Sequence, residues 1–289
     1  MAKPLDNSAS AAIRTAVEAS VPREPVVEFA RKKSPSHASD SFDDHQQLGV
    51  SLEREFDTLR LSDLQQVSVP RDTNKPLVTA NERYARAALE AYKSLRTRLL
   101  RSQASQGFRS VAVTSVGRSE GKTLTAFNLA CCCAQIANFP VLLIDGDLRN
   151  RSLTKLIGRL PSVGLADAMS GTASCEEAVV RTDVPNLYLM GAGKSDVLPT
   201  ELFSTETWGE VIRWSRQHFK LVLVDALSMG EFADFELIAP ECEGILMVVR
   251  ARSTNREELK MALEQLDASK LLGIVWNGSE YDRVRGSIS

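Results

Sequence analysis

The run SVAVTSVGRSEGKTLTAFNLA, residues 110–130, passes from an apolar, β-branched stretch through a loop with two glycines into an amphipathic stretch. Strand, glycine-containing loop, Gly121-Lys122-Thr123 and helix, in that order, are the context of a phosphate-binding P-loop. Few local patterns constrain a fold so tightly, because the strand must sit in a sheet and the helix must start at its carboxyl rim. Backbone N–H groups and the positive end of the helix dipole favour a polyphosphate there. Lys122 adds a point charge near the β and γ phosphates, and the Thr123 hydroxyl can ligate magnesium. The expected ligand is therefore a nucleoside triphosphate, ATP, with Mg2+, held by Gly117, Arg118, Ser119, Glu120, Gly121, Lys122, Thr123 and Leu124. The standard spacing places a glycine four positions before Gly121, where this chain has Val116, so the motif calls for a second, independent sign.

That sign is LLIDGDLRNR. Asp145 and Asp147 lie two apart at the carboxyl end of an apolar run, and the two-residue period of a strand sends both side chains to one side. A third acid, Asp225, closes the run KLVLVD in the form of a Walker B aspartate. Carboxylates on that rim can hold magnesium-bound water or take a proton from an attacking hydroxyl. Taken singly, each acid reads equally well as a site residue or as a helix cap or solvated loop residue. Three of them at the ends of three apolar runs beside a phosphate loop point to a site.

Short runs rich in Val, Ile and Leu recur without alternation at RSVAVTSV, PVLLID, NLYLMGAG, KLVLVDA, GILMVVRA and LLGIVWN, with helical stretches between them. Strands buried on both faces and interleaved with helices imply an α/β fold: a doubly wound, mainly parallel sheet flanked by helices, of the P-loop NTPase kind. The folded domain is drawn over residues 79–289, opening with the long helix NERYARAALEAYKSLRTRLLRSQ. Residues 1–78, with SPSHASDSFDDHQQ and scattered prolines, read as a disordered or partner-docking extension. Two pieces of it, AAIRTAVEA and LEREFDTLRLSDL, have helical spacing, which serves equally a spacer or a docking segment.

A formal charge of −2 over 289 residues leaves no basic excess for non-specific binding of nucleic acid, so no nucleic-acid partner is expected. The five cysteines, three adjacent at Cys131, Cys132 and Cys133, have neither zinc-site nor disulfide-framework spacing. They read as core residues of a reduced, cytosolic protein. The start MAKPLDNSAS lacks the apolar core of a signal peptide, and no apolar run approaches the ~20 residues of a membrane span. The expected location is cytoplasmic, with membrane association only through a partner or a surface contact.

Together these segments resemble the bacterial tyrosine kinases (BY-kinases) of capsule and exopolysaccharide export, within the MinD and ParA type of P-loop ATPases. The resemblance runs from about residue 82 to 279 through EAYKSLRTRLL, TSVGRSEGKT, LLIDGDLR, GLADAMSG, LPTELFS, LVLVD, GILMVVRARST and LLGIVWN. It implies an ATP- and magnesium-dependent protein tyrosine autokinase, activated by a membrane polysaccharide co-polymerase at the inner face of the cell membrane. Lys122 and Thr123 would meet the phosphates and magnesium, Asp145 would act as the base or orient the hydroxyl, and Asp147 and Asp225 would support the metal and its waters. Asn277 matches a position that contacts adenine, although a turn residue after a strand fits the sequence equally well. A homo-oligomer is implied by the family's Glu-x-x-Arg-x-x-Arg element in the entry helix. Here it reads Glu90, Lys93 and Arg96, lysine replacing the first arginine and losing its bidentate fork.

Departures from the family are also legible. Arg118 and Ser119 replace Pro-Gly in the loop, putting serine where glycine is free to adopt positive φ. Ala226, Leu227 and Ser228 replace Thr-Pro-Pro after Asp225. The family's C-terminal tyrosine cluster shrinks to Tyr281, either a phosphoacceptor or an ordinary surface residue. Two alternatives to the kinase stay open: a nucleotide-sensing docking module of the same machinery, and a MinD/ParA-type ATPase.

Overall fold

A computed structural model describes residues 27–28, 61, 63–71, 77–79, 83–230 and 233–278, with side chains described from residue 89 in the first helix. Tyr281 and the helical-period segment around residues 11–19 lie outside these residues. The core is a nine-stranded sheet in the order β1-β9-β8-β3-β7-β4-β6-β5-β2. Its strands are β1 (Val27–Glu28), β2 (Gln66–Val67), β3 (Ser110–Ser115), β4 (Val141–Asp145), β5 (Val179–Thr182), β6 (Leu187–Met190), β7 (Leu221–Asp225), β8 (Gly244–Arg250) and β9 (Leu271–Asn277). Only β1–β9 and β5–β6 pair antiparallel; the pairs among β9, β8, β3, β7, β4 and β6, and the β2–β5 pair, are parallel. The expected doubly wound, mainly parallel α/β sheet is the one observed.

The absence of alternation in the strand sequences has its cause in the two covered faces. Val111 and Val113 of β3, Val141 and Leu143 of β4, and Leu221 and Leu223 of β7 share one core with α1 (Arg83–Gln106), α2 (Lys122–Ala134) and α3 (Ser152–Ile157). The intervening Ala112, Leu142, Ile144, Val222 and Val224 face the other core. That core is covered by α4 (Leu165–Met169), α5 (Cys175–Ala178), α6 (Pro199–Phe203), α7 (Glu206–His218) and α8 (Asp234–Ile238). The period of two splits each strand between two apolar layers, so every position reads as hydrophobic. The last helix, α9 (Arg256–Gln265), brings Leu259, Ala262 and Leu263 onto Met247 and Val249 of β8.

Helix α2 is enclosed rather than amphipathic. From Thr125 to Ala134 every residue is buried, because α1 lies over its outer side: Leu95 and Leu99 pack in the same core, and Arg96 donates to the Cys132 carbonyl at 2.9 Å. That is why three successive cysteines, which point in different directions, are all buried free thiols. Burial raises the pKa of each, that of Cys132 to about 11.

Part of the segment drawn as an extension packs on the domain. Gln66 and Val67 pair with Arg181 and Thr182 of β5, and Val69 is buried, its amide donating to Asp183 at 2.9 Å. Leu77 is 0% exposed in the same core as α1 and α2. These side chains precede residue 79, where the sequence reading began the domain.

Candidate active site

The P-loop begins where β3 ends. Helix α2 starts at Lys122 behind Gly121, which has φ 94°, a left-handed conformation that glycine adopts without a Cβ penalty. Space demands glycine as well: a Cβ there would stand 1.9 Å from the Asn277 amide nitrogen. Ser119 takes φ 60°, so the strain expected of serine in this loop has a geometric basis.

The loop is laced to its surroundings by the predicted Glu120 and Asn277 and by two residues that the sequence did not single out, Arg250 and Thr254. Glu120 turns its carboxylate inward, where Oε2 accepts from the Val116 amide at 3.0 Å and Oε1 accepts from the Thr254 hydroxyl. Arg250, at the end of β8, donates to the Ser119 carbonyl at 2.9 Å, and Asn277 donates to the Glu120 carbonyl at 2.8 Å. The Asn277 side-chain amide thus rests on the loop backbone. Lys122 is buried at the first turn of α2, Gly117, Thr123 and Leu124 are half-buried, and Arg118 is exposed.

Parallel pairing of β4 with β7 sets Asp145 directly beside Asp225 in register. Both are 0% exposed. Asp145 Oδ2 accepts from the Thr154 amide at 2.8 Å and its hydroxyl at 2.7 Å, while Oδ1 has no partner. Burial pushes the Asp145 carboxyl up to about 6, with the charge of Asp147 adding to the rise and the Thr154 bonds opposing it. Neither oxygen of Asp225 has a hydrogen-bond partner. Burial and the adjacent Asp145 raise its carboxyl well above the usual range, and Lys122 pulls it back. The Thr123 hydroxyl also faces this carboxylate without closing a bond of regular geometry.

Asp147 is just as buried but is differently employed. The chain has left the strand by this point, and its carboxylate takes bonds from the Asn150 amide at 2.9 Å, the Asn150 side chain at 3.1 Å and the Ser152 hydroxyl at 3.0 Å. Asn and Ser just after an aspartate are turn formers, so this bonding was the available sequence signal. Gly146 bridges the two acids: its amide donates to the Asp225 carbonyl at 3.0 Å, and a Cβ would meet Val224 at 2.9 Å. Arg149 then grips Asp234 with two bonds of 2.7 and 2.9 Å, a pair 85 residues apart in sequence and thus without a local signal. Leu148, Arg149, Arg151, Ala192, Val197 and Leu202 line a cavity of about 300 Å³ beside these acids.

The two buried Asp225 oxygens without partners, with the Thr123 hydroxyl, make an all-oxygen donor set of the kind that hard divalent cations take. The residues present therefore fit magnesium at Asp225 and Thr123, whereas the Asp147 oxygens are already engaged. The predicted oligomer contacts lie apart from this rim, on α1. Lys93 pairs with Glu90 at 2.8 Å, and Arg96 spends a bond on Cys132 within its own protomer.

The chain is 31% identical over 197 residues to the tyrosine-protein kinase CpsD of Streptococcus pneumoniae, covering 67% of this chain and 86% of that one. It is 30% identical over 196 residues to the tyrosine-protein kinase YwqD of Bacillus subtilis, covering 67% and 82%. Among solved structures, the kinase domain of the Escherichia coli tyrosine kinase ETK aligns with a TM-score of 0.64 and 24% identity over 70% of this chain and 78% of that one, a likeness of fold. No family model matches the chain.

Proposed function

Because the chain belongs to the bacterial tyrosine kinase family of CpsD, YwqD and Wzc, we propose that it is a Mg-ATP-dependent protein tyrosine autokinase of capsule or exopolysaccharide export. The observation that carries this reading is the pairing of two buried acids, Asp145 and Asp225, whose open oxygens stand on the rim where Lys122 starts α2. Backbone amides of Gly121 to Thr123 and the Lys122 ammonium would hold the phosphates of ATP. Magnesium, when bound, neutralises phosphate charge. Asp145 Oδ1 accepts the proton of a tyrosyl hydroxyl as its oxygen attacks the γ-phosphorus, and ADP departs with the electrons of the broken P–O bond.

Among the described residues no helix is long and apolar enough to cross a membrane. A place at the inner membrane face therefore falls to a partner, the cytosolic end of a polysaccharide co-polymerase. Homo-oligomer formation through α1 would draw on the Arg96 N–H groups beyond the one given to the Cys132 carbonyl. The acceptor in such an assembly would be Tyr281 or a tyrosine of another protein.

The test is incubation of the purified chain with labelled ATP and magnesium, with and without the co-polymerase segment, followed by mapping of phosphotyrosine. Label that is lost in Lys122→Met is the expected result. Tight ATP binding without label would instead make the chain a nucleotide sensor docked on the same machinery.

A further inference from the structure

The geometry points to Thr154 as the residue that aims the Asp145 carboxylate, holding one oxygen so that the other alone faces the reaction. This inference rests on the kinase reading above and adds a residue that the motifs do not mark. Thr154 lies on α3, nine residues after Asp145 and just beyond the first acidic motif.

The direction of each bond can be assigned. The Ala192 amide, beyond the end of β6, contacts Thr154 Oγ1 at 3.0 Å, and an N–H can only donate. The hydroxyl thus accepts from Ala192 and spends its single hydrogen on Asp145 Oδ2 at 2.7 Å. The Thr154 amide supplies a second bond to the same oxygen at 2.8 Å. Two donors on Oδ2 and none on Oδ1 fix the rotation of a carboxylate whose oxygens are otherwise equivalent. Ala192 also lines the cavity beside the acids, so one threonine connects the cavity wall to the base. A group held by such supports reacts from one geometry instead of several. Thr154 is a positioning residue: it touches neither nucleotide nor acceptor in this account.

The experiment compares single-turnover transfer at saturating Mg-ATP, and ATP affinity by calorimetry, for the wild type, Thr154→Val and Thr154→Ser, each also combined with Asp145→Asn. Valine keeps the shape and removes the donor, so transfer should fall ~10-fold with ATP affinity within ~2-fold. Serine restores the donor and should recover the rate to within ~3-fold of wild type. In the Asp145→Asn background the valine substitution should change the rate by less than ~2-fold, because the group it aims is no longer a base. Transfer by Thr154→Val at the wild-type rate overturns the role, as does an equal loss in both backgrounds, which would mean an effect on the fold and not on Asp145. If the valine variant does not fold, the serine variant decides: a rate far below wild type overturns the role. Absence of transfer from the wild-type chain, even with its activator segment, overturns the kinase reading and this role with it.

Discussion

The side chain on which most of the chemistry depends is Asp145, and its burial makes opposite demands on function and stability. As a base it should matter for the chemical step: Asp145→Asn is expected to lower transfer ~100-fold or more while leaving ATP affinity within a few fold. A fall in affinity alone, measured by calorimetry, would give it a binding role instead. Its pKa, pushed up from 3.8 to about 6, means that the native state holds this proton more tightly than the unfolded chain. The associated stability is complete below pH ~4 and is lost as the pH rises through ~6, amounting to about 3 kcal/mol. Asparagine keeps an acceptor for Thr154 and carries no charge to bury. With a chelator present, the variant should therefore gain stability relative to wild type as the pH goes from 4 to 8. Melting temperatures whose difference stays constant across that range would refute the assignment. Sequence spacing singled out this acid and Asp225, but not that Asp147 would be absorbed by Asn150 and Ser152, because β4 ends at Asp145 and the strand period with it.

At the scale of elements, the P-loop and α1 differ most from a generic member of their kind. The loop carries Ser119 at φ 60° and is closed by Arg250, Thr254 and Asn277, which come from the ends of β8 and β9 and the turn before α9. Glycine adopts that φ without a Cβ clash, so Ser119→Gly should stabilise the protein by about 1 kcal/mol. A rise of several degrees in melting temperature is the expected signature, and a fall would mean that the serine side chain makes a contact worth more than the strain. The glycine-for-serine difference was readable in the sequence. The clamps were not, since Arg250 and Ser119 stand 131 residues apart and meet only because β8 neighbours β3. Helix α1 was readable as a helix from its spacing, yet its bond from Arg96 to Cys132 depends on α2 passing underneath it.

For the whole molecule, the boundary of the folding unit is the feature most open to measurement. Val67 and Val69 are nearly buried, Leu77 fully so, and each such side chain contributes about 2 kcal/mol by leaving water. A chain that begins at residue 61 should unfold cooperatively at a temperature near that of the full protein. One that begins at residue 79 loses β2 and Leu77 and should melt well below it or not fold. Equal transitions for the two truncations would return the boundary to residue 79. Composition is a coarse guide here: prolines and polar residues dominate the first 78 positions, and a few apolar side chains among them give no periodic signal, though a sheet edge and a helix cleft can still recruit them.

The amino-acid sequence by itself determined the sheet-and-helix architecture, the P-loop at Gly121-Lys122-Thr123 and the acids at Asp145 and Asp225, because strand periodicity and loop chemistry act over a few neighbouring residues. Only the tertiary structure decided which oxygens of those acids stay open, that Thr154 and Ala192 hold one of them, and that β8 and β9 clamp the phosphate loop. Those outcomes depend on strand order and on contacts between residues far apart in the chain, and no local pattern encodes a distance that exists only after the strands have chosen their neighbours.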